Sequence, residues 1–184
     1  GFEVKDPDRS WAIVYDKQLL NDYKIDYPKN VPYLEDGLFL AKVFTVATSV
    51  GFDNQIFYQR TTRKGSATNS KLFFSEKAIN GFILAFNDIK NFAANNKLTT
   101  VQQQLVNHVI AKFFLLSITP SASSFKFKEY FKIINILKQE GINNIKTDGL
   151  RLPYAKHIKA FKFSKLFFPF YFKVYIKYQA IKNE

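Results

Sequence analysis

With 184 residues the chain suits one ordinary domain, or a small domain with an extension, and is long enough to bury a core. Its 47% hydrophobic and 17% aromatic content excludes wholesale disorder, and the absence of cysteine excludes disulfides and thiolate metal sites. A formal charge of +12 points to a polyanionic partner or a negatively charged surface, and nucleic acid, anionic lipid and sugar diphosphate all qualify.

The chain has no methionine and opens on Gly1-Phe2-Glu3-Val4-Lys5, which lacks a signal-peptide core and reads as the edge of something longer. Trp11 to Asn21 reads as a short strand or turn leading into a short helix. Pro28 with Asn30, and then Val31-Pro32-Tyr33, mark loops. From Leu38 to Val50 apolar residues crowd nearly all round a helix. Glu35-Asp36 suit its positive N-terminus and Gly51 stands where it should stop. Gln55 to Arg60 has the β-branched and aromatic content of a strand, and Thr61 to Ser70 is a polar, cationic loop.

After Ser70 the texture turns helical. Ser75 can cap a helix to about Asn95, with Ala78, Phe82, Ile83, Phe86 and Ile89 on one stripe. Thr100 and Gln103 have capping-box spacing for a second helix to about Ile118, after which Pro120 and its serines predict a break. A third helix spans about Lys126 to Glu140 and is closed by Gly141, with a loop from Asn143 to Pro153. From Lys156 lysines alternate with bulky apolar residues, and Pro169 argues against one straight helix. No uninterrupted apolar run has bilayer-spanning length.

Three stretches, in order, resemble the C-terminal portion of the catalytic domain of bacterial family 2 glycosyltransferases. The first is Trp11-Ala-Ile-Val-Tyr15 with Leu19-Leu20 and Ile25-Asp26-Tyr27-Pro28, where Tyr27 replaces the commoner phenylalanine. The second is Tyr33-Leu34-Glu35-Asp36-Gly37-x-Phe39, and the third Tyr58-x-Arg60-x-x-Arg63-x-Gly65-Ser66. The resemblance runs from Trp11 to Ser70, so that it implies residues 1–70 as the acceptor-side part of the catalytic domain and 71–184 as a helical extension with a basic aromatic tail. It implies an α+β, mostly helical fold: the C-terminal remnant of a GT-A type α/β domain, followed by helices. The family's metal-holding Asp-x-Asp follows an apolar strand far upstream of the acidic pair. Asp6-Pro7-Asp8 lacks that setting and is not assigned to it.

The resemblance further implies sugar transfer from a nucleotide-sugar donor to a glycan or lipid-linked acceptor, with inversion. Such a reaction needs a carboxylate to take the acceptor hydroxyl's proton as its oxygen attacks. Asp36 is the candidate base, with Glu35 orienting the acceptor or Asp36 itself; the alternative is that both merely cap the helix. Arg60, Arg63 and Ser66 suit a donor diphosphate or a lid over it, and equally suit a solvated turn. Trp11 and Tyr15 fit acceptor-side packing. A divalent metal, manganese or magnesium, is expected of the complete enzyme and none of this stretch alone, which is expected to be inactive by itself. His108 and His157 have no ligand partner at metal spacing and read as structural.

The tail admits two leading readings: peripheral binding to an anionic membrane, or packing on its own domain with snorkelling lysines. Nucleic acid ranks behind both, since no recognised binding motif accompanies the phenylalanines. The membrane reading implies a cytoplasmic protein at the inner face of the cell membrane. A non-catalytic basic helical module is the alternative function.

Overall fold

The computed structural model describes residues 10, 12–32, 34–53, 55–56, 58–59 and 75–182. Among them are helices α1 (Lys17–Asp22), α2 (Glu35–Val46), α3 (Glu76–Asn95), α4 (Thr100–Ser123), α5 (Phe127–Gln139), α6 (Leu152–Phe163) and α7 (Phe168–Lys182). No strand occurs among the described residues, and the protein is mostly helical. The chain divides into two compact units, Gly1–Val106 and Asn107–Glu184, with the boundary inside α4.

In the first unit Asp16 caps α1, accepting the Gln18 N–H at 2.8 Å. The helix stops with Lys24 at φ 50° while the N–H of buried Ile25 returns to Leu20 O at 2.8 Å. α2 is the centre of the unit: every residue from Leu38 to Val46 is buried, which explains its all-round apolar composition. It stops at Val46, with Ala47 already extended, short of the expected Gly51. Thr48, Ser49 and Val50 are weak helix formers, and all three are exposed, so no packing offsets their propensity.

The strand expected from Gln55 to Arg60 is not formed at the described positions. Asp53 Oδ1 accepts the Gln55 N–H at 2.9 Å, a local turn bond that competes with ladder pairing, and Ile56 is exposed. α3 begins as expected, with Ser75 Oγ accepting from Ala78 N at 3.3 Å. Ala78, Phe82, Phe86 and Ile89 are buried along its stripe. It packs on α2, where Lys42 reaches Asp88. Gly81 lets the loop before α2 lie against α3, since a Cβ there would meet Pro32 Cδ at 2.8 Å.

The capping box of α4 is one residue earlier than expected. Thr99 N donates to Gln102 Oε1 at 2.8 Å, and Gln102 N donates back to Thr99 Oγ1 at 3.3 Å. The helix also runs through Pro120 to Ser123. Proline removes one backbone donor there. Even so, Ile118, Ser121 and Ala122 are buried, and the Ser117 and Ser121 hydroxyls bond to Phe114 O and Ile118 O. Packing on both sides of the proline keeps the turn helical. By length and composition α4 could cross a membrane, yet 67% of its most apolar window is buried inside the protein, as for a core helix.

In the second unit the turn that closes α4 after Ser123 contains Phe125, a non-glycine at φ 52°, with Lys126 N returning to Ser121 O at 2.9 Å. α5 ends as expected at Gly141, φ 68°, where Ile142 N bonds to Leu137 O at 2.7 Å and both side chains are buried. The tail forms two helices. The break falls at 164–167, where Ser164 Oγ accepts the Phe167 N–H, and Pro169 occupies the first turn of α7, where no N–H is needed. Phe114, Phe161 and Phe168 pack edge-on in sequence with centroids 4.9 and 5.7 Å apart. Fully buried Tyr130 donates its hydroxyl to Lys165 O at 2.8 Å, and burial raises its phenol pKa well above the usual value.

Candidate functional site

The two carboxylates singled out in the sequence stand in the first turn of α2, where the helix dipole favours negative charge. The residue at the cap position is Leu34, which has no side-chain oxygen to offer. Asp36 is held from outside its helix: its Oδ1 accepts the Ser10 hydroxyl in a short bond, and the Tyr27 hydroxyl at 3.4 Å. Both donors are hydroxyls of the preceding chain rather than N–H groups of α2. Glu35 Oε2 is buried and has no hydrogen-bond partner among the described residues. A buried carboxylate oxygen without a donor is costly.

Aromatic residues wall this corner. Tyr27 lies flat on Phe39, centroids 4.5 Å apart, with 49% of its surface exposed. Tyr15 meets Phe39 edge-on at 5.2 Å and rests on buried Leu40, Phe44 and Leu105. Its hydroxyl donates to Ser10 O at 2.8 Å, fixing the residue that in turn holds Asp36. Burial first, then the neighbouring Tyr27 and Asp36, push the Tyr15 phenol up to about 12, so it remains a protonated donor at neutral pH.

The structure therefore brings Tyr15, Glu35 and Asp36 together. Trp11, Arg60, Arg63, Ser66 and the Asp6-Pro7-Asp8 string lie outside the described residues. Ser10 and Tyr27 escaped the sequence reading as site residues. For Tyr27 a signal existed, because the residue before a proline is biased to extended backbone that can present a ring. For Ser10, 26 residues from Asp36, there was none.

Both histidines are buried among aromatics. His108 meets Tyr154 edge-on at 4.7 Å, and His157 Nδ1 lies 3.0 Å from the Tyr171 hydroxyl. Among the described residues no group of three or more His, Cys, Asp or Glu side chains could hold a metal ion. No protein-family model matches the chain, and no curated protein or solved structure does either.

Proposed function

We propose that this chain supplies the acceptor side and the catalytic base of an inverting glycosyltransferase that moves a sugar from a nucleotide-sugar donor to a glycan or lipid-linked acceptor. The supporting observation is the carboxylate of Asp36, positioned by two hydroxyls from outside its helix beside an exposed tyrosine ring. In this reading Asp36 takes the proton of the acceptor hydroxyl as that oxygen bonds to the anomeric carbon. The bond from that carbon to the nucleoside diphosphate breaks on the opposite face, and the diphosphate leaves with the electron pair. Tyr27 offers a flat face for an acceptor ring, and Glu35, beside the base in the same helical turn, orients the acceptor or Asp36 itself. The α/β remnant of a GT-A domain and the donor contacts of Arg60, Arg63 and Ser66 belong to the same proposal. Among the described residues no group of three or more His, Cys, Asp or Glu side chains would hold the divalent metal that the resemblance implies.

The test is Asp36→Asn in the enzyme that joins this chain to a nucleotide-binding part. The amide keeps the shape and can still accept from Ser10, but it is no base. Turnover should fall by about a hundredfold or more, with donor affinity and melting temperature nearly unchanged. Substantial remaining turnover would remove Asp36 from the chemistry.

A further inference from the structure

α7 is apolar on two faces, and only one of them is spent on the protein. Phe168 is buried, and Tyr171, Phe172 and Tyr175 gather around His157. Phe170, Val174, Tyr178 and Ile181 recur at spacings of three and four, which places them on one stripe, and all four are exposed. At the N-terminal end of that stripe the α6–α7 turn presents Phe163, Leu166 and Phe167 at 88%, 64% and 61% exposure.

The α4–α5 connection extends the same patch. Phe125 sits 5.2 Å and Phe127 5.9 Å from the Phe170 ring, and Phe167 stacks on Phe170 at 6.3 Å. Phe125 adopts φ 52°, a backbone state that disfavours a side chain of its size, and its ring remains 40% exposed. Lys173 locks this corner by donating to Ser123 O at 3.1 Å while lying over the Phe125 ring.

The charge around the patch identifies its occupant. Exposed Lys126, Lys162, Lys165, Lys177 and Lys182 lie along it, and no acidic residue occurs from Gly149 to Asn183. Asp148 and Glu184 flank that stretch in sequence, and Glu129 in the first turn of α5 lies two residues after Phe127. Protein interfaces are depleted in lysine, which disfavours a protein partner. Aliphatic Leu166, Val174 and Ile181 offer no face for base stacking, which disfavours a nucleic acid. Bulky apolar side chains ringed by lysines match the interface of an anionic bilayer, with rings among the acyl chains and ammonium groups at the headgroups.

We propose that the α6–α7 turn, the outer stripe of α7 and Phe125 with Phe127 form a surface that docks on anionic membranes. This inference stands apart from the sugar-transfer reading, because none of its residues belongs to the Asp36 site.

The test is co-sedimentation of the 184-residue chain with phosphatidylcholine vesicles, with or without roughly one third phosphatidylglycerol. Binding should favour the anionic vesicles by about tenfold or more and weaken in high salt. Leu166→Ser with Phe167→Ser should lower binding about tenfold or more, without moving the melting temperature, because both side chains are exposed. Lys162→Glu with Lys165→Glu should erase the preference for anionic vesicles. In Phe167→Trp with Trp11→Phe, which leaves one indole at the turn, emission should shift to the blue on adding anionic vesicles.

No sedimentation with anionic vesicles, or unchanged binding by the double serine variant, overturns the proposal. So does concentration-dependent dimerisation, or binding of a single-stranded oligonucleotide without vesicle binding, where the serine pair abolishes either one. Asp36→Asn should leave vesicle binding intact, and the serine pair should leave transfer to a soluble acceptor intact, so the two proposals fail separately.

Discussion

The ammonium of Lys42, in the middle of α2, lies 2.6 Å from Asp88 Oδ1 on α3, its side chain 9% exposed against 35% for the aspartate. It also lies 5.9 Å from the centroid of the Phe92 ring. The two ends of this bridge are therefore unequal. Asp88→Asn strands a buried cation and should cost about 3 kcal/mol, at the low end for a broken buried pair because Asp88 is partly solvated. Lys42→Met removes the buried charge, leaves Asp88 to water, and should cost about 1 kcal/mol or less. Urea unfolding of both variants checks the order; equal losses would show that Lys42 is not buried as described.

Gly81→Ala separates helix propensity from packing. In an open helix the change gains about 1 kcal/mol. Here the new methyl meets the Pro32 ring at 2.8 Å, so the variant should instead lose about 1–3 kcal/mol. Because Pro32 leads into the turn that carries Glu35 and Asp36, the sugar-transfer function proposed above also requires that turnover fall in this variant. A stabilised Gly81→Ala protein would show that the loop shifts freely.

The capping box sets two neighbouring threonines apart. Thr99→Ala removes the hydroxyl that accepts the Gln102 N–H and should cost about 1 kcal/mol. Thr100→Ala, inside the first turn and exposed, should stay within about 0.5 kcal/mol. Thermal melts by circular dichroism distinguish them, and the reverse order would restore the box to Thr100 and Gln103.

His157 couples α6 to α7 in a pH-dependent way. Burial holds its imidazole pKa below the ordinary 6.5, while the Tyr171 phenol is raised, first by burial and then by Tyr175, and stays protonated. Protonation of His157 thus favours the unfolded chain. Its contribution is complete above about pH 6.5 and is lost as the pH falls below that value. His157→Gln keeps a hydrogen-bonding partner for Tyr171 and does not titrate. Between about pH 7.5 and 5 the native protein should lose more melting temperature than the variant; parallel curves would clear His157 of the effect.

The features legible in the sequence are those whose cause lies within a few residues. Ser75 and Gly141 mark their helix ends because a capping hydroxyl and a glycine at positive φ act on backbone groups two to five positions away. The acidic pair was legible for the same reason, standing at a helix start after Pro32. Pro120 misled because the packing that overrides it comes from residues remote in sequence. The stop at Phe125 carries no sequence signal, because a turn that glycine would announce is made there by phenylalanine at φ 52°. Gln55 to Arg60 has strand composition, but strands need partners, and composition does not supply them. In the candidate site Ser10 stayed hidden, since its contact with Asp36 is purely tertiary.

The bond from Tyr130 to the Lys165 carbonyl bears on how the α6–α7 turn can behave at a surface. A loop that orders only on contact gives up conformational entropy at that moment. This one is tied from beneath by a phenol that burial keeps protonated, so Leu166 and Phe167 project from a seat already fixed. Tyr130→Phe would cut that tether and leave the aromatic packing in place. On the proposed membrane surface the turn would then act as a flap that must settle before it grips, where the native turn would act as a wedge.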